Sequence, residues 1–248
     1  MGLDLKNLQG KTLPFPLVQR SDNVHPPQPK PKKVAVCVPH LEMMAAPFVM
    51  SVVDLFIKGK HKYVPVWAGG SDSAMARNHA IRTAPSDVDY YLFIDSDMGF
   101  FVSDADKLVD LSLDVVSAVC FQKHHPYMPC VFYKNDQGTH AHMESWKHGE
   151  VIEVAACGGA FMCVAAPVIN AMKDKYQSTT GSPWFEWGKA YSEDLMFCER
   201  VKECGFKVNV DTGILVDHFT MAPRGKENFI EANQIQDNKT THHVELRV

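Results

Sequence analysis

Apolar and polar positions alternate in blocks between residues 34 and 121, and the blocks predict strand, helix, strand, helix. Val34–Val38 is a short β-branched run stopped by Pro39, and Phe48–Ile57 suits a helix. Tyr63–Trp67 reads as a second strand and Gly69-Gly70-Ser71-Asp72 as a turn. Ser73–Thr83 is helical in pattern, Tyr90–Ile94 is a third apolar strand, and Ser103–Leu111 is a helix opened by a Ser cap. Val115–Phe121 is a fourth strand. This alternation predicts an α/β fold with a mainly parallel central sheet.

Past Gln122 the alternation breaks. Residues 122–150 hold His124, His125, His140, His142 and His148 among aromatics and turn residues, which suggests a hairpin or irregular loop. Val151–Ala155 and Phe161–Ala165 look like strands around Gly158-Gly159, and Pro167–Tyr176 is helical. Ser178–Gly188 is a polar and aromatic loop. Ser192–Glu203 is a helix with Ser192 as N-cap and Gly205 just past its end. Phe206–Val210 and Ile214–Val216 are late strands.

The ends differ from this middle. Six of the fifteen prolines lie between Pro14 and Pro31, so residues 1–33 read as an extended arm, and the polar tail from 226 to 248 is weakly periodic. One compact domain over 34–225 is the expected organisation. A chain of 248 residues, 46% hydrophobic and 22% charged, can bury a core without disulfide or metal support. Net charge −4 argues against a dedicated nucleic-acid binder but leaves room for a local basic groove. No apolar run reaches the ~20 residues of a membrane span, and Met1–Arg20 lacks a signal-peptide core. Seven cysteines without a C-x-x-C pair read as reduced, structural thiols of a cytoplasmic protein.

The sharpest chemical feature is Tyr90-Tyr-Leu-Phe-Ile-Asp95-Ser-Asp97, an apolar strand running into two carboxylates. Ligands of open α/β sheets bind beyond such strand ends, and two carboxylates there can share Mg²⁺ or Mn²⁺ with substrate phosphates. The plain alternative is a solvated turn capping the next helix. Glu193 and Asp194 stand in the first turn of a helix, where acids complement the dipole. Asp194 also follows the Trp184–Gly188 loop, where it could serve as a general base. His218 closes the last apolar strand and could complete a metal shell, Mn²⁺ more readily than Mg²⁺. Arg77, in Ala76-Arg77-Asn78, could bond a diphosphate or Asp95. Gly158-Gly159 permits a close backbone approach or merely a tight turn. The His cluster at 124–148 invites zinc but lacks companion cysteines at ligand spacing.

In this order, the pieces resemble the GT-A glycosyltransferases, most closely the small family-2-like enzymes often seen in phage genomes. The matching residues are Val34–Pro39, Ala76-Arg-Asn78, Phe93-Ile-Asp-Ser-Asp97, Gly158-Gly-Ala-Phe-Met162, Ser192-Glu-Asp-Leu195, Gly205 and Asp217-His218, spread over residues 33–220. The resemblance implies a GT-A domain that moves a sugar from a nucleotide-sugar, a UDP-sugar above all, with Mn²⁺ or Mg²⁺ as cofactor. It implies that Pro39 and His40 border the nucleotide base, with Asp72 near the place where relatives carry an acid for it. Arg77 would face ribose or diphosphate, Asp95 would hold ribose or metal, and Asp97 and His218 would bind the metal. Asn78, Ser96 and Glu193, within the same motifs, belong to the donor site, and Gly158 and Gly159 line the sugar and acceptor. Asp194 would deprotonate the acceptor hydroxyl with inversion. The acceptor is expected to be a hydroxymethylpyrimidine of DNA, reached by the 122–150 loop and the Lys30–Lys33 arm, or a protein or glycan.

Two rival readings use the same residues. A HAD-like phosphohydrolase also places D-x-D after a strand, but its motif carries Thr or Val where Gly99 stands, and it opens the domain. A catalytically inactive binding protein on the same fold is countered by the intact Asp95, Asp97, Asp194 and His218.

Overall fold

In a computed structural model, residues 30–40, 44–180 and 182–220 are described, so residues 1–29 of the expected arm and the 226–248 tail lie outside them. The chain runs β1 (Lys33–His40), α1 (Ala46–Lys58), β2 (Lys62–Gly69), α2 (Ser73–Thr83), β3 (Tyr90–Ile94), β4 (Met98–Gly99) and α3 (Val102–Asp110). It continues with β5 (Val115–Val119), β6 (Val131–Lys134), β7 (His140–His142), β8 (Val151–Glu153), β9 (Ala156–Cys157) and β10 (Phe161–Ala165). Then come α4 (Ala166–Thr180), α5 (Glu193–Glu203), β11 (Val208–Leu215) and β12 (Asp217–His218).

Seven strands form the central sheet in the order β2-β1-β3-β10-β5-β11-β8. Five run the same way, whereas β10 and the edge strand β8 oppose their neighbours. The sheet carries helices on both faces. α1 and α3 bury Phe48, Val52, Leu55, Leu108 and Val109 on one side against Val34, Val36, Leu92 and Ile94. α2, α4 and α5 cover the other side, with Ile81, Met172, Phe197 and Val201 against Ala35, Cys37, Phe93 and Met162. Strands covered on both faces need continuous apolar runs, which is why β1, β3 and β5 lack alternation.

Local chemistry moves some boundaries from those expected. α3 starts one residue early: Phe101 is its N-cap and donates its N–H to Asp104 Oδ2 at 2.9 Å, so Ser103 lies inside the helix. Ser192 does cap α5 by position, but its hydroxyl turns to Asp194 instead of the backbone. The two late strands fuse into β11, and the polar interruption between them becomes a register shift between Asp211 and Leu215. α4 extends past Tyr176 to Thr180. The basic stretch before β1 is tied into the fold as well. Lys32 Nζ donates to Val109 O at 2.7 Å, and Lys33 pairs with Asp87.

All seven cysteines are free, and Cys37, Cys120, Cys157, Cys163 and Cys198 are buried, as structural thiols should be. Burial pushes the Cys163 thiol up to about 12, and burial with the Asp194 and Asp95 charges does the same for Cys130, so neither is a thiolate at neutral pH. Among the described residues no helix is long and apolar enough to cross a membrane.

Candidate active site

The chain folds β1–α1–β2 to one side of β1, then crosses back through α2 to place β3 on the other side. β1 and β3 therefore border the point where strand order reverses, and their C-terminal ends diverge there into a crevice. A cleft of about 270 Å³ fills it. Pro39 and His40 from the end of β1, Asp72, Ser73 and Ala76 from the start of α2, and Asp95, Ser96 and Asp97 after β3 line it, joined by Lys123. Six residues expected at the donor site are thus brought to one cleft, five by the ends of β1 and β3 and Asp72 by the start of α2. Asp72 has a structural task too: its Oδ1 accepts from Met75 N at 2.9 Å and caps α2.

Beneath the cleft floor lies Arg77, 3% exposed. Its Nη2 donates to Asp95 Oδ1 at 2.8 Å and Oδ2 at 3.0 Å, and its Nη1 to Glu193 Oε1 at 2.5 Å. The Ser73 hydroxyl also donates to Glu193. Of the two partners expected for Arg77, then, it is Asp95 that it meets, and the guanidinium ties the end of β3 to the start of α5. Burial by itself would lower the arginine pKa, but the charges of Asp95, Glu193 and Asp194 outweigh it and hold the group firmly protonated. Asp95 moves the other way. Burial, helped by the Asp97 charge, raises its carboxyl above the usual range despite Arg77.

Asn78 and Glu193 likewise face inward. Asn78 Nδ2 donates to Phe185 O at 2.7 Å and its Oδ1 accepts from Phe185 N at 3.1 Å, fixing the aromatic loop 184–188 against α2. Gly159 explains its own identity. A Cβ there would stand 3.1 Å from Arg77 Cζ and 3.3 Å from Nε, while one on Gly158 would meet Cys130 Cβ at 2.8 Å. Gly159→Ala should cost about 1–3 kcal/mol through overpacking against a guanidinium that cannot leave its two carboxylates. Urea denaturation checks this, and a change below about 0.5 kcal/mol would show that Arg77 can yield.

Asp97 stands between Lys123 and His218. Lys123 Nζ pairs with its Oδ2, and His218 Nε2 stands 3.3 Å from its Oδ1. Burial would raise its pKa, but the neighbouring His218 and Lys123 outweigh it and lower it. β12 pairs antiparallel with β4, opposing His218 to Met98, and this short ribbon brings Asp217 and His218 back beside the D-x-D turn. His218 Nδ1 lies 2.8 Å from Phe121 O, so it carries the proton and Nε2 faces Asp97. Nε2 is buried without a hydrogen bond. Burial lowers the imidazole pKa, but Asp97 and the Phe121 carbonyl raise it above its ordinary value overall.

Asp194 sits one residue along α5 from Glu193. Its Oδ1 accepts from the Ser192 hydroxyl and from Leu195 N at 2.9 Å, which leaves Oδ2 without a hydrogen bond from the described residues. The remaining histidines do not converge. His124, His125 and His148 are exposed, His142 Nδ1 bonds Pro129 O at 2.7 Å, and His140 Nε2 meets Glu199 Oε1 at 2.9 Å. Among the described residues no group of three or more His, Cys, Asp and Glu is arranged to hold a metal ion, zinc included. The residue that sequence reasoning missed is Lys123. Its signal was its place just beyond the C-terminal end of a core strand, β5.

No protein-family model matches the chain, and no curated protein matches it. Solved structures do share its architecture. A197 from STIV superposes with a TM-score of 0.52 and 18% identity, over 76% of this chain and 86% of its own. GalNAc-T7, solved with UDP, GalNAc and Mn²⁺, superposes with a TM-score of 0.56 and 10% identity, over 84% of this chain. The fold is GT-A. This chain spans about half of GalNAc-T7, 48% of its length. At such identities the likeness establishes the GT-A fold alone.

Proposed function

We propose that this GT-A domain is a metal-assisted glycosyltransferase that takes a nucleotide-sugar, a UDP-sugar foremost, and passes the sugar to an acceptor hydroxyl. The observation that carries the reading is that Asp97, a residue of the switch-point cleft that Pro39, His40 and Asp72 also line, has His218 Nε2 3.3 Å from its Oδ1. That GalNAc-T7 shares the fold and was solved with UDP, GalNAc and Mn²⁺ supports it.

The residues fit a divalent cation. With its proton on Nδ1, His218 offers the Nε2 lone pair, a buried atom with no other hydrogen-bond partner, beside a carboxylate. Asp97 and His218 would hold the ion, and an imidazole donor favours Mn²⁺ over Mg²⁺. Asp95, with both oxygens on Arg77, supports the turn from behind. Two protein donors suit an ion that also takes diphosphate oxygens and water. When bound, the cation stabilises negative charge on the departing diphosphate.

The chain's own groups do the rest. Pro39, His40, Asp72 and Ser73 line the cleft, where Pro39, His40 and Asp72 would border the nucleotide base. Asp194 Oδ2 receives the acceptor proton while Oδ1 stays pinned, as the acceptor oxygen bonds the anomeric carbon and the bond to the diphosphate breaks. Attack from the face opposite the leaving group inverts the anomeric centre, as in the family-2-like enzymes that the sequence resembles. The exposed His124, His125 and Tyr127 lie next in sequence to the cleft residue Lys123 and would meet a hydroxymethylpyrimidine of DNA, while a protein or glycan acceptor uses the same opening. A phosphohydrolase is a poorer match, because its nucleophile would be Asp95, whose oxygens both accept from Arg77.

Mass spectrometry of products from a panel of nucleotide-sugars, offered hydroxymethylated DNA, unmodified DNA, proteins and glycans, tests the reading. A mass gain of one sugar on an acceptor is expected. Release of phosphate without any transfer would contradict it.

A further inference from the structure

Lys123 has no part in the reaction as set out above, yet among the described residues it is the one lysine or arginine lining the cleft. It stands four residues past the end of β5, where the loop is pinned on both sides. Gln122 N donates to Met128 O at 2.9 Å, Cys130 N to Cys120 O at 2.8 Å, and Tyr127 N to His124 O at 2.7 Å. The backbone of Lys123 is therefore fixed, while its side chain, 36% exposed, can reach across the opening. It meets Asp97 Oδ2 while His218 faces Oδ1, so the ammonium already balances the carboxylate whose charge a divalent cation would need. A lysine ammonium on a four-carbon stem is a mobile point charge, able to change partners without moving the backbone.

The charge balance of the cleft calls for such a group. Asp72, Asp95 and Asp97 all line it, and a nucleotide diphosphate adds further negative charge to the same space. Arg77 cannot answer this, because its guanidinium is buried under the floor and committed to Asp95 and Glu193.

Resting on the glycosyltransferase reading, we propose that Lys123 is a substrate-contacting cation that exchanges partners: it balances Asp97 in the empty cleft and moves to the donor diphosphate once a divalent ion takes Asp97. The exchange makes metal and nucleotide binding mutually dependent. The ion must displace Lys123 from Asp97, and the displaced ammonium then binds the nucleotide.

The test measures Mn²⁺ binding from the free-ion electron paramagnetic resonance signal, and UDP binding by calorimetry, in wild type, Lys123→Ala, Lys123→Arg and Asp97→Ala. Without nucleotide, K123A should bind Mn²⁺ about threefold to fivefold more tightly than wild type, since a half-exposed competing ion pair is gone. With saturating Mn²⁺ the same variant should bind UDP about tenfold more weakly, the loss of one charge-assisted contact. K123R should stay within about threefold of wild type on both measures. Unchanged or weaker Mn²⁺ binding in K123A, or unchanged UDP binding, overturns the exchange while leaving the glycosyltransferase reading intact. Absence of Mn²⁺ binding in wild type and K123A alike overturns both.

Discussion

Replacing Arg77 by Met should lower the stability of the domain by about 3–5 kcal/mol, the cost of stranding buried carboxylates whose shared partner is gone. Asp95 and Glu193 approach one another only because the guanidinium lies between them, with Ser73 closing the group. Without it the Asp95 carboxyl, already raised by burial, climbs further above its unfolded value, so the deficit is largest at neutral pH and shrinks as pH falls and Asp95 takes up a proton. Arg77→Lys should recover little, because an ammonium cannot bridge Asp95 bidentately while also reaching Glu193. Urea denaturation at about pH 5 and pH 7.5 reads both effects. A deficit under about 1 kcal/mol, or one equal at the two pH values, would mean that the triad does not hold β3 to α5.

Asp194→Asn should leave folding and UDP binding intact and cut turnover by about 10²- to 10⁴-fold, the usual worth of a general base. Asparagine keeps an oxygen for Ser192 and Leu195 N and puts an amide where Oδ2 stood, so shape is retained and only proton acceptance is lost. Initial rates with the sugar donor found by product analysis, beside a thermal melt, make the comparison. Turnover above about a tenth of wild type would assign the base elsewhere.

Much of the fold was legible because core strands covered on both faces must be apolar throughout, and β1, β3 and β5 are. The mainly parallel sheet was legible too, from the strand–helix alternation, but its antiparallel exceptions were not. Phe161–Ala165 looks like any other buried strand, and only pairing shows that β10 runs against β3 and β5. The D-x-D turn was readable for the same reason, since the apolar run of Tyr90–Ile94 marks where the sheet ends and chemistry begins. Arg77 was visible as a candidate, but its tie to Glu193 joins residues 116 apart in sequence and has no local signature. The histidines of 122–150 looked like a cluster because they are close in sequence. Strand pairing separates them: β6 and β7 turn His140 to α5 and His142 to Pro129, leaving His124 and His125 exposed. Lys123 was hidden in that same stretch, one polar residue among many until the end of β5 placed it at the cleft.

The central claim, that Asp97 and His218 with the switch-point cleft form a metal-assisted nucleoside-diphosphate site, is tested most directly by thermal melts with UDP and Mn²⁺, separately and together. Wild type should be stabilised most by the two together, by about 2.7 kcal/mol or more at a hundredfold excess over the dissociation constant, and Asp97→Ala should lose that gain. No shift in wild type at millimolar UDP and Mn²⁺, or an equal shift in Asp97→Ala, would contradict the account.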